Sequence, residues 1–254
     1  MDYLPHQVEK AKLISQKLRQ LGFCVLASQE RTGKTGMFLK AIEDSSLSRI
    51  LIVTKKAAIV GIEQQISDFS CTKDYTVINY QSLHKLKSPD FDLVVLDECH
   101  TALQSYPKPS VTHKTLSPIC KGKLIIYVSA TPFSETYSQA FHLFMLSEFT
   151  PFKHKNFYAF HAEHGIPCEL FMNGRAIKQY MLTNDLKHII APYLITMTRA
   201  DAGFEHEPSE QVHVIALDKS TSKNIATIRK DKMLSEPLTV CDSAMAEVNA
   251  VYQL

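Results

Sequence analysis

Short apolar runs alternate along the first half of the chain with longer segments whose apolar residues recur every three or four positions. The runs are rich in Val, Ile and Leu, which is typical of strands buried on both faces. The first helical segment begins at Pro5 and ends before Gly22, two residues suited to those positions. Strands alternating with helices predict βαβ units, so we expect an α/β fold with a mostly parallel central sheet and helices on both faces. The runs lie at residues 23–27, 49–54, 75–78, 91–96 and 123–128.

Polar motifs follow these runs directly, where the carboxyl ends of the strands would lie. In open parallel sheets, ligands bind just beyond those ends. The pattern therefore predicts a binding site along one edge of the sheet. The motifs are Ser28–Thr35, Lys55-Lys56, Asn79–Ser82, Asp97–His100 and Ser129–Pro132.

The first motif, Ser28-Gln-Glu-Arg-Thr-Gly-Lys-Thr35, lies between a predicted strand and a predicted helix, which is the context of a phosphate-binding loop. Backbone N–H groups and the helix N-terminus would attract phosphates, Lys34 would contact the β- and γ-phosphates, and the Thr35 hydroxyl would join the Mg²⁺ shell. Ser28 occupies the position of the pattern's first glycine, so the motif alone is equally compatible with a chance Gly-Lys-Thr. The residues expected to contact the nucleotide here are Ser28, Glu30, Arg31, Thr32, Gly33, Lys34 and Thr35.

Asp97 and Glu98 come immediately after a buried strand. ATP hydrolysis needs one carboxylate to hold Mg²⁺ and a second group to orient the attacking water. Asp97 fits the first role and Glu98 the second. An acidic pair can also simply end a strand, and Lys34 with Thr35 two strands away favours the catalytic interpretation.

Gln7, near the start of the first helix, carries an amide with the donor and acceptor that match the N6/N7 edge of adenine. By itself it is much more typical of a surface residue near the start of a helix.

The composition limits the class of protein but does not indicate a specific function. The chain has 254 residues, a formal charge of +2 and six scattered cysteines without a Cys-x-x-Cys pair, which indicates reduced thiols. No apolar run approaches the length of a membrane span. We therefore expect a cytoplasmic protein without a membrane partner, in the host cytoplasm if it is encoded by a phage.

The order of these motifs resembles the first RecA-like domain of superfamily 2 helicases and translocases, most of all the Swi/Snf-like and phage members. The resemblance covers Leu4 to Thr131 and consists of a Gln motif at Leu4–Gln7, the phosphate loop, Ile52–Lys56, the DECH box Asp97–His100 and Ser129–Thr131. It implies an ATP- and Mg²⁺-dependent motor in which Gln7 reads adenine. It also implies that His100, Ser129 and Thr131 couple the nucleotide to a nucleic-acid surface.

The resemblance places the nucleic-acid track on the loops after the second and third strands. Lysine charges with hydroxyl or amide donors would hold the phosphates of duplex or single-stranded DNA without reading sequence. A Lys-Lys pair after a strand is also typical of a solvated end. The residues implied in the track are Thr54, Lys55, Lys56, Tyr80 and Gln81.

The resemblance weakens after Thr131. A helix is indicated between residues 133 and 150, a strand at 212–216 and another helix at 219–233. His161, His164 and Cys168 suggest zinc, but their spacing lacks the Cys pairs of structural sites, so packed or surface histidines are the better interpretation. We expect an ATP-binding domain at 1–200 and, at 201–254, a linker or the start of a second RecA-like domain.

Motifs of that second domain, including its arginine finger, do not occur in the sequence, and neither Arg199 nor Arg229 fits the finger pattern. We expect weak hydrolysis unless the second domain is supplied, for example by a separate chain. One alternative is a non-catalytic split or degenerate half that binds DNA or a partner. Another is the motor of a restriction-type translocase. The motifs do not distinguish strand separation from duplex translocation.

Overall fold

The computed structural model describes residues 1–86, 90–133, 136–172, 175–180, 183–204, 219–231, 233–235 and 238–240. Its first part alternates strands and helices as the pattern predicts. The elements are α1 (Pro5–Leu21), β1 (Phe23–Ser28), α2 (Lys34–Glu43), β2 (Arg49–Thr54), α3 (Ile59–Asp68), β3 (Asp74–Asn79), β4 (Leu93–Asp97), α4 (His100–Leu103), α5 (Val111–Cys120) and β5 (Leu124–Ser129).

The later part holds shorter elements. They are α6 (Ser138–Phe144), α7 (Phe157–His164), β6 (Cys168–Met172), β7 (Arg175–Gln179), α8 (Lys187–Ile190), β8 (Leu194–Met197), α9 (Lys219–Asp231), β9 (Met233–Ser235) and β10 (Leu238–Val240). The helix predicted after the fifth strand is confirmed by α6. The helix predicted at 219–233 is confirmed by α9 over Lys219–Asp231, whereas Met233 begins β9. The strand suggested by residues 212–216 lies outside the described residues.

Six strands form one sheet in the order β3-β2-β4-β5-β1-β8. Every pairing within it is parallel, which confirms the predicted parallel sheet. Because the strands run the same way, the ends of β1, β4 and β5 meet at one edge, and the register pairs Ala27 with Ser129 and Asp97 with Val128.

Both faces of the sheet are covered. Alternate residues of β1 divide between two hydrophobic clusters, Phe23 and Val25 on one face, Cys24 and Leu26 on the other. Since successive side chains of a strand point to opposite faces, this division requires apolar helices on each side. The α/β class with helices on both faces is confirmed.

An aromatic cluster extends one of these clusters beyond the sheet. Phe141, Phe144, Phe152, Phe157 and Phe160 are buried and contact one another at ring-centroid distances between 4.9 and 6.2 Å. The segment after β5 therefore packs onto the domain rather than forming a separate core.

The chain divides into two compact units, Met1–Glu207 and Pro208–Leu254. In the second unit, α9 is followed by the antiparallel pair β9 and β10. Cysteines 24, 71, 99, 120 and 168, those among the described residues, are free. Within the described ranges, we find no helix with the length and apolar character needed to span a membrane.

Candidate nucleotide site and adjoining basic groove

Two side-chain hydroxyl groups, those of Ser28 and Thr32, make contacts within the loop between β1 and α2. The Thr32 hydroxyl donates to the carbonyl oxygen of Gln29 at 2.7 Å, and Ser28 Oγ lies 2.5 Å from Thr32 Oγ1. Both side chains are buried. Ser28 occupies the position of the motif's first glycine, and its buried contact with Thr32 stabilises the loop.

The loop backbone turns through the left-handed region twice. Gly33, which directly precedes α2, has φ 81°, and Arg31 has φ 63°. A side chain in that region costs about 1–2 kcal/mol, so Arg31 adopts a conformation that glycine would adopt without this cost. Lys34 and Thr35 are the first two residues of α2, so its free N–H groups and dipole face the space that phosphates would occupy.

The start of α1 supports this loop. Gln7 is only 5% exposed, its Oε1 accepts from the backbone N–H of Leu4 at 2.8 Å, and its Nε2 donates to the Gly33 carbonyl at 3.3 Å. A Cβ on Gly36 would come within 2.5 Å of Gln7 Nε2, so the close approach of α1 and α2 requires glycine there. One lone pair of Oε1 and one hydrogen of Nε2 remain, the pair that an adenine edge needs.

Arg199 reaches the same loop from β8. Its backbone N–H donates to Gln29 Oε1 at 2.7 Å and its Nε to the carbonyl of Glu30 at 3.3 Å. No local pattern links Arg199 to the loop, because the link depends on β8 pairing with β1. Arg199 is a loop-supporting residue that sequence reasoning missed.

Asp97 ends β4 beside two donors from neighbouring segments. Thr54 Oγ1 donates to Asp97 Oδ2 at 2.7 Å, and the Tyr80 hydroxyl donates to the Asp97 carbonyl at 2.7 Å. Burial raises the pKa of the Asp97 carboxyl above its ordinary value, and the hydrogen bond from Thr54 partly offsets this. A cation beside this carboxylate would favour its charged form.

Glu98 connects the phosphate loop to the end of β5. Its Oε1 lies 3.9 Å from Lys34 Nζ, and its Oε2 lies 3.4 Å from His100 Nδ1. His100 Nδ1 is in turn 2.9 Å from Ser129 Oγ, which accepts the backbone N–H of Thr131 at 3.0 Å. The structure thus brings together, through direct contacts, five residues that sequence motifs assigned to catalysis and coupling.

Glu98 has φ 50°, a left-handed conformation that is unfavourable for a side-chain-bearing residue. Such positions are concentrated at functional sites, where the surrounding structure holds them. Here the contacts with Lys34 and His100 hold the carboxylate at the sheet edge.

The donors available for a metal suit Mg²⁺. The Thr35 hydroxyl and the Asp97 carboxylate are oxygen ligands, which Mg²⁺ prefers, and no nitrogen or sulfur ligand belongs to the predicted set. The buried Asp97 carboxylate, with its raised pKa, also supplies a charge that a cation would neutralise.

A groove of about 1050 Å³ adjoins the site at the ends of β2 and β3. Three exposed lysines lie in it, Lys55, Lys56 and Lys85. The N-terminus of α5 also opens here, capped by Ser110, which accepts from the backbone N–H of His113 at 3.0 Å. Lysine charges and a helix N-terminus together favour phosphate. The groove residues are Lys55, Lys56, Asn79, Tyr80, Gln81, Ser82, Lys85, Ala102, Ser110 and Thr112.

The residues predicted for the nucleic-acid track separate into two sets. Lys55, Lys56 and Gln81 are exposed in the groove, whereas Thr54 and Tyr80 are buried and donate to Asp97. Tyr80, which lines the groove, therefore contacts the same residue, the candidate metal ligand Asp97, as Thr54 at the end of β2. Lys85, Ser110 and Thr112 were not singled out in the sequence, although Ser110 before a helical pattern is a recognisable N-cap signal.

Comparison with solved structures identifies the architecture. The chain is similar to the Sulfolobus solfataricus SWI2/SNF2 ATPase core in complex with dsDNA, with a TM-score of 0.60 and 14% sequence identity. The fold is RecA-like. The match covers 100% of this chain and 58% of that chain, so the chain spans somewhat more than half of the matched protein's length. No protein-family model and no curated protein matches the sequence.

Proposed function

We propose that this chain is the ATP-binding motor domain of a DNA helicase or translocase and that it hydrolyses ATP with Mg²⁺. The observation that carries the proposal is the continuous contact line Lys34–Glu98–His100–Ser129, which joins the phosphate loop to the end of β5. The same sheet edge carries the basic groove. The test is ATP turnover with and without duplex DNA.

In this reaction each group has a separate task. The loop N–H groups and Lys34 bind and orient the phosphates, and Thr35 with Asp97 would hold Mg²⁺, which neutralises charge on the phosphates when bound. Glu98 orients the attacking water and accepts its proton. Glu98, at the nucleotide site, is coupled to the nucleic-acid surface through His100, Ser129 and Thr131.

Full turnover requires a group from outside this domain. An arginine supplied by a second domain is worth a factor of about 10³–10⁵ in phosphoryl transfer. Arg199 holds the backbone of Gln29–Glu30 and is therefore a support for the loop. We propose that a second RecA-like domain, for example on a separate chain, completes the motor.

DNA is the proposed nucleic acid, and the groove is its proposed binding surface. The structurally similar Sulfolobus protein was solved with dsDNA. The groove offers three lysines, the hydroxyls of Ser82 and Thr112 and the N-terminus of α5, all of which suit backbone phosphates rather than base edges. Binding is therefore expected to be independent of sequence and weakened by salt.

Removing both Lys55 and Lys56 is expected to flatten the dependence of log K on log salt by about two units, since each lost phosphate contact lowers the slope by about one. Sequence preference should not change. Fluorescence anisotropy of labelled DNA over a salt series measures the slope. The matched control is Lys121→Ala/Lys123→Ala, which removes the same charge before β5, at the opposite edge of the sheet. An unchanged slope in Lys55→Ala/Lys56→Ala would place the DNA elsewhere.

Replacing Gln7 by Ala is expected to weaken ATP binding by about 1–3 kcal/mol and GTP binding much less, because only adenine matches the amide's remaining donor and acceptor. Calorimetric titration of both nucleotides measures the difference. Equal losses would show that Gln7 acts only by holding Leu4 and Gly33.

A further inference from the structure

A second cluster of ligand-type side chains lies far along the chain from the nucleotide motifs. The loop before α7 brings His154 against the last turn of that helix, where Glu163 and His164 are neighbours. His154 Nε2 is 2.9 Å from Glu163 Oε2, and His164 Nε2 is 3.5 Å from Glu163 Oε1. The three ligand atoms, one from each residue, all lie within 4.8 Å of one another.

Packing holds both imidazoles in place. Their side chains are 14% and 16% exposed, and their ring centroids are 5.2 Å apart. Each ring also packs on the buried Phe160, at 5.6 Å for His154 and 5.1 Å for His164. Rings fixed in this way lose little freedom when a ligand binds, which distinguishes them from mobile surface histidines.

Hydrogen bonds also hold the two ends of α7, the helix that carries Glu163 and His164. α7 begins at the N-cap Asn156, whose side chain accepts from the backbone N–H of Ala159 at 3.0 Å. Beyond the helix, the carbonyl of His164 accepts from the backbone N–H of Asn184 at 2.7 Å. The cluster therefore joins the loop at 151–156, the end of α7 and the segment around Asn184.

The donor set is that of a transition metal. Two imidazole nitrogens and one carboxylate oxygen are the ligands of three-ligand zinc sites, in which water takes the fourth position. Imidazole favours Zn²⁺, Cu²⁺, Ni²⁺ and Fe²⁺ over Mg²⁺ and Ca²⁺. The C-terminus of α7 adds partial negative charge, which also favours a cation.

We propose that His154, Glu163 and His164 bind one divalent transition metal ion of the zinc class, with a fourth position open to water. The ion links the loop at 151–156 to the end of α7. It thereby stabilises the aromatic cluster formed by the phenylalanines between Phe141 and Phe160. This site is distinct from the Mg²⁺ site, whose proposed ligands are oxygens only.

The membership of the cluster differs from what sequence spacing suggests. His161 packs against Phe157 and Tyr180, at centroid distances of 5.9 and 5.1 Å, and is buried. The interpretation of His161 as a packed histidine agrees with this placement. His164 instead meets His154, a pairing that depends on the path of the loop before α7.

The test is zinc binding to the chain after dialysis against a chelator, without nucleotide, using competition with a chromophoric zinc indicator. Wild type is expected to bind one equivalent. His154→Ala and His164→Ala should each lose more than the roughly 10–100-fold that removal of a supporting residue costs, because a direct ligand is gone. His84→Ala, which removes an exposed histidine elsewhere, is the matched control and should keep the wild-type affinity.

Glu163→Gln separates binding from folding. The Glu163 side chain is 66% exposed, so the amide should leave the packing intact while weakening zinc affinity. Zinc should raise the melting temperature of wild type and His84→Ala and leave that of the double variant His154→Ala/His164→Ala unchanged. Bound Co²⁺ should show the intense visible bands of a four-coordinate site. Zinc affinity in wild type no greater than in the double variant would overturn the proposal.

Discussion

Lys34→Ala is expected to lose ATP·Mg²⁺ binding. Lys34 begins α2 at the mouth of the loop and lies 3.9 Å from Glu98, so its charge is directed at the site where phosphates would bind. Truncating one member of a desolvated charge pair typically costs about 2–5 kcal/mol, which is roughly 30-fold to several thousand-fold in affinity. Calorimetric titration with ATP·Mg²⁺ measures the loss.

A lysine on the same helix supplies the control for this variant. Lys40 lies near the end of α2 and pairs with Asp44 at 2.6 Å. Lys40→Ala therefore removes an equivalent charge and an equivalent ion pair away from the loop, and it should bind ATP·Mg²⁺ as wild type does. Undiminished affinity in Lys34→Ala would show that the loop does not hold the nucleotide.

Glu98→Gln is expected to bind ATP·Mg²⁺ and fail to hydrolyse it. General-base groups contribute a factor of about 10²–10⁴ to rate, and the amide cannot accept the proton. Ground-state binding should survive because Glu98 acts on water rather than on the phosphates. The amide also releases Lys34 from its ion pair, so the affinity for ATP should equal or exceed that of wild type.

Single-turnover hydrolysis and calorimetry, made on the same preparation, separate the two effects. Glu63→Gln neutralises an exposed carboxylate on α3 and should keep both wild-type values. Hydrolysis by Glu98→Gln at the wild-type rate would assign the water-orienting role to another residue. Loss of binding together with hydrolysis would instead indicate that Glu98 shapes the loop.

Local patterns in the sequence were sufficient to predict the central parallel sheet and the helix α1. Short apolar runs rich in Ile and Val, such as Arg49–Thr54, favour strands buried on both faces. Pro5 and Gly22 correctly mark the ends of α1. The polar motifs lie at one sheet edge because parallel strands share a direction, which follows from the alternation of elements alone.

Features that depend on pairing between distant segments could not be predicted. β8 lies beside β1, and only that neighbourhood brings Arg199 to the phosphate loop. The hydrogen bond from Thr54 to Asp97 depends on the register of β2 and β4, which no local pattern predicts. The contact of His154 with Glu163 likewise depends on a loop path that has no periodic signal.

The most direct test of the motor assignment is steady-state ATP turnover by wild type and Lys34→Ala, each with and without duplex DNA. The proposed function predicts a slow rate in wild type that rises when DNA is added, and no rate above background in Lys34→Ala under either condition. Equal rates in wild type and Lys34→Ala, with no response to DNA, would contradict it and favour a non-catalytic module that binds DNA or a partner.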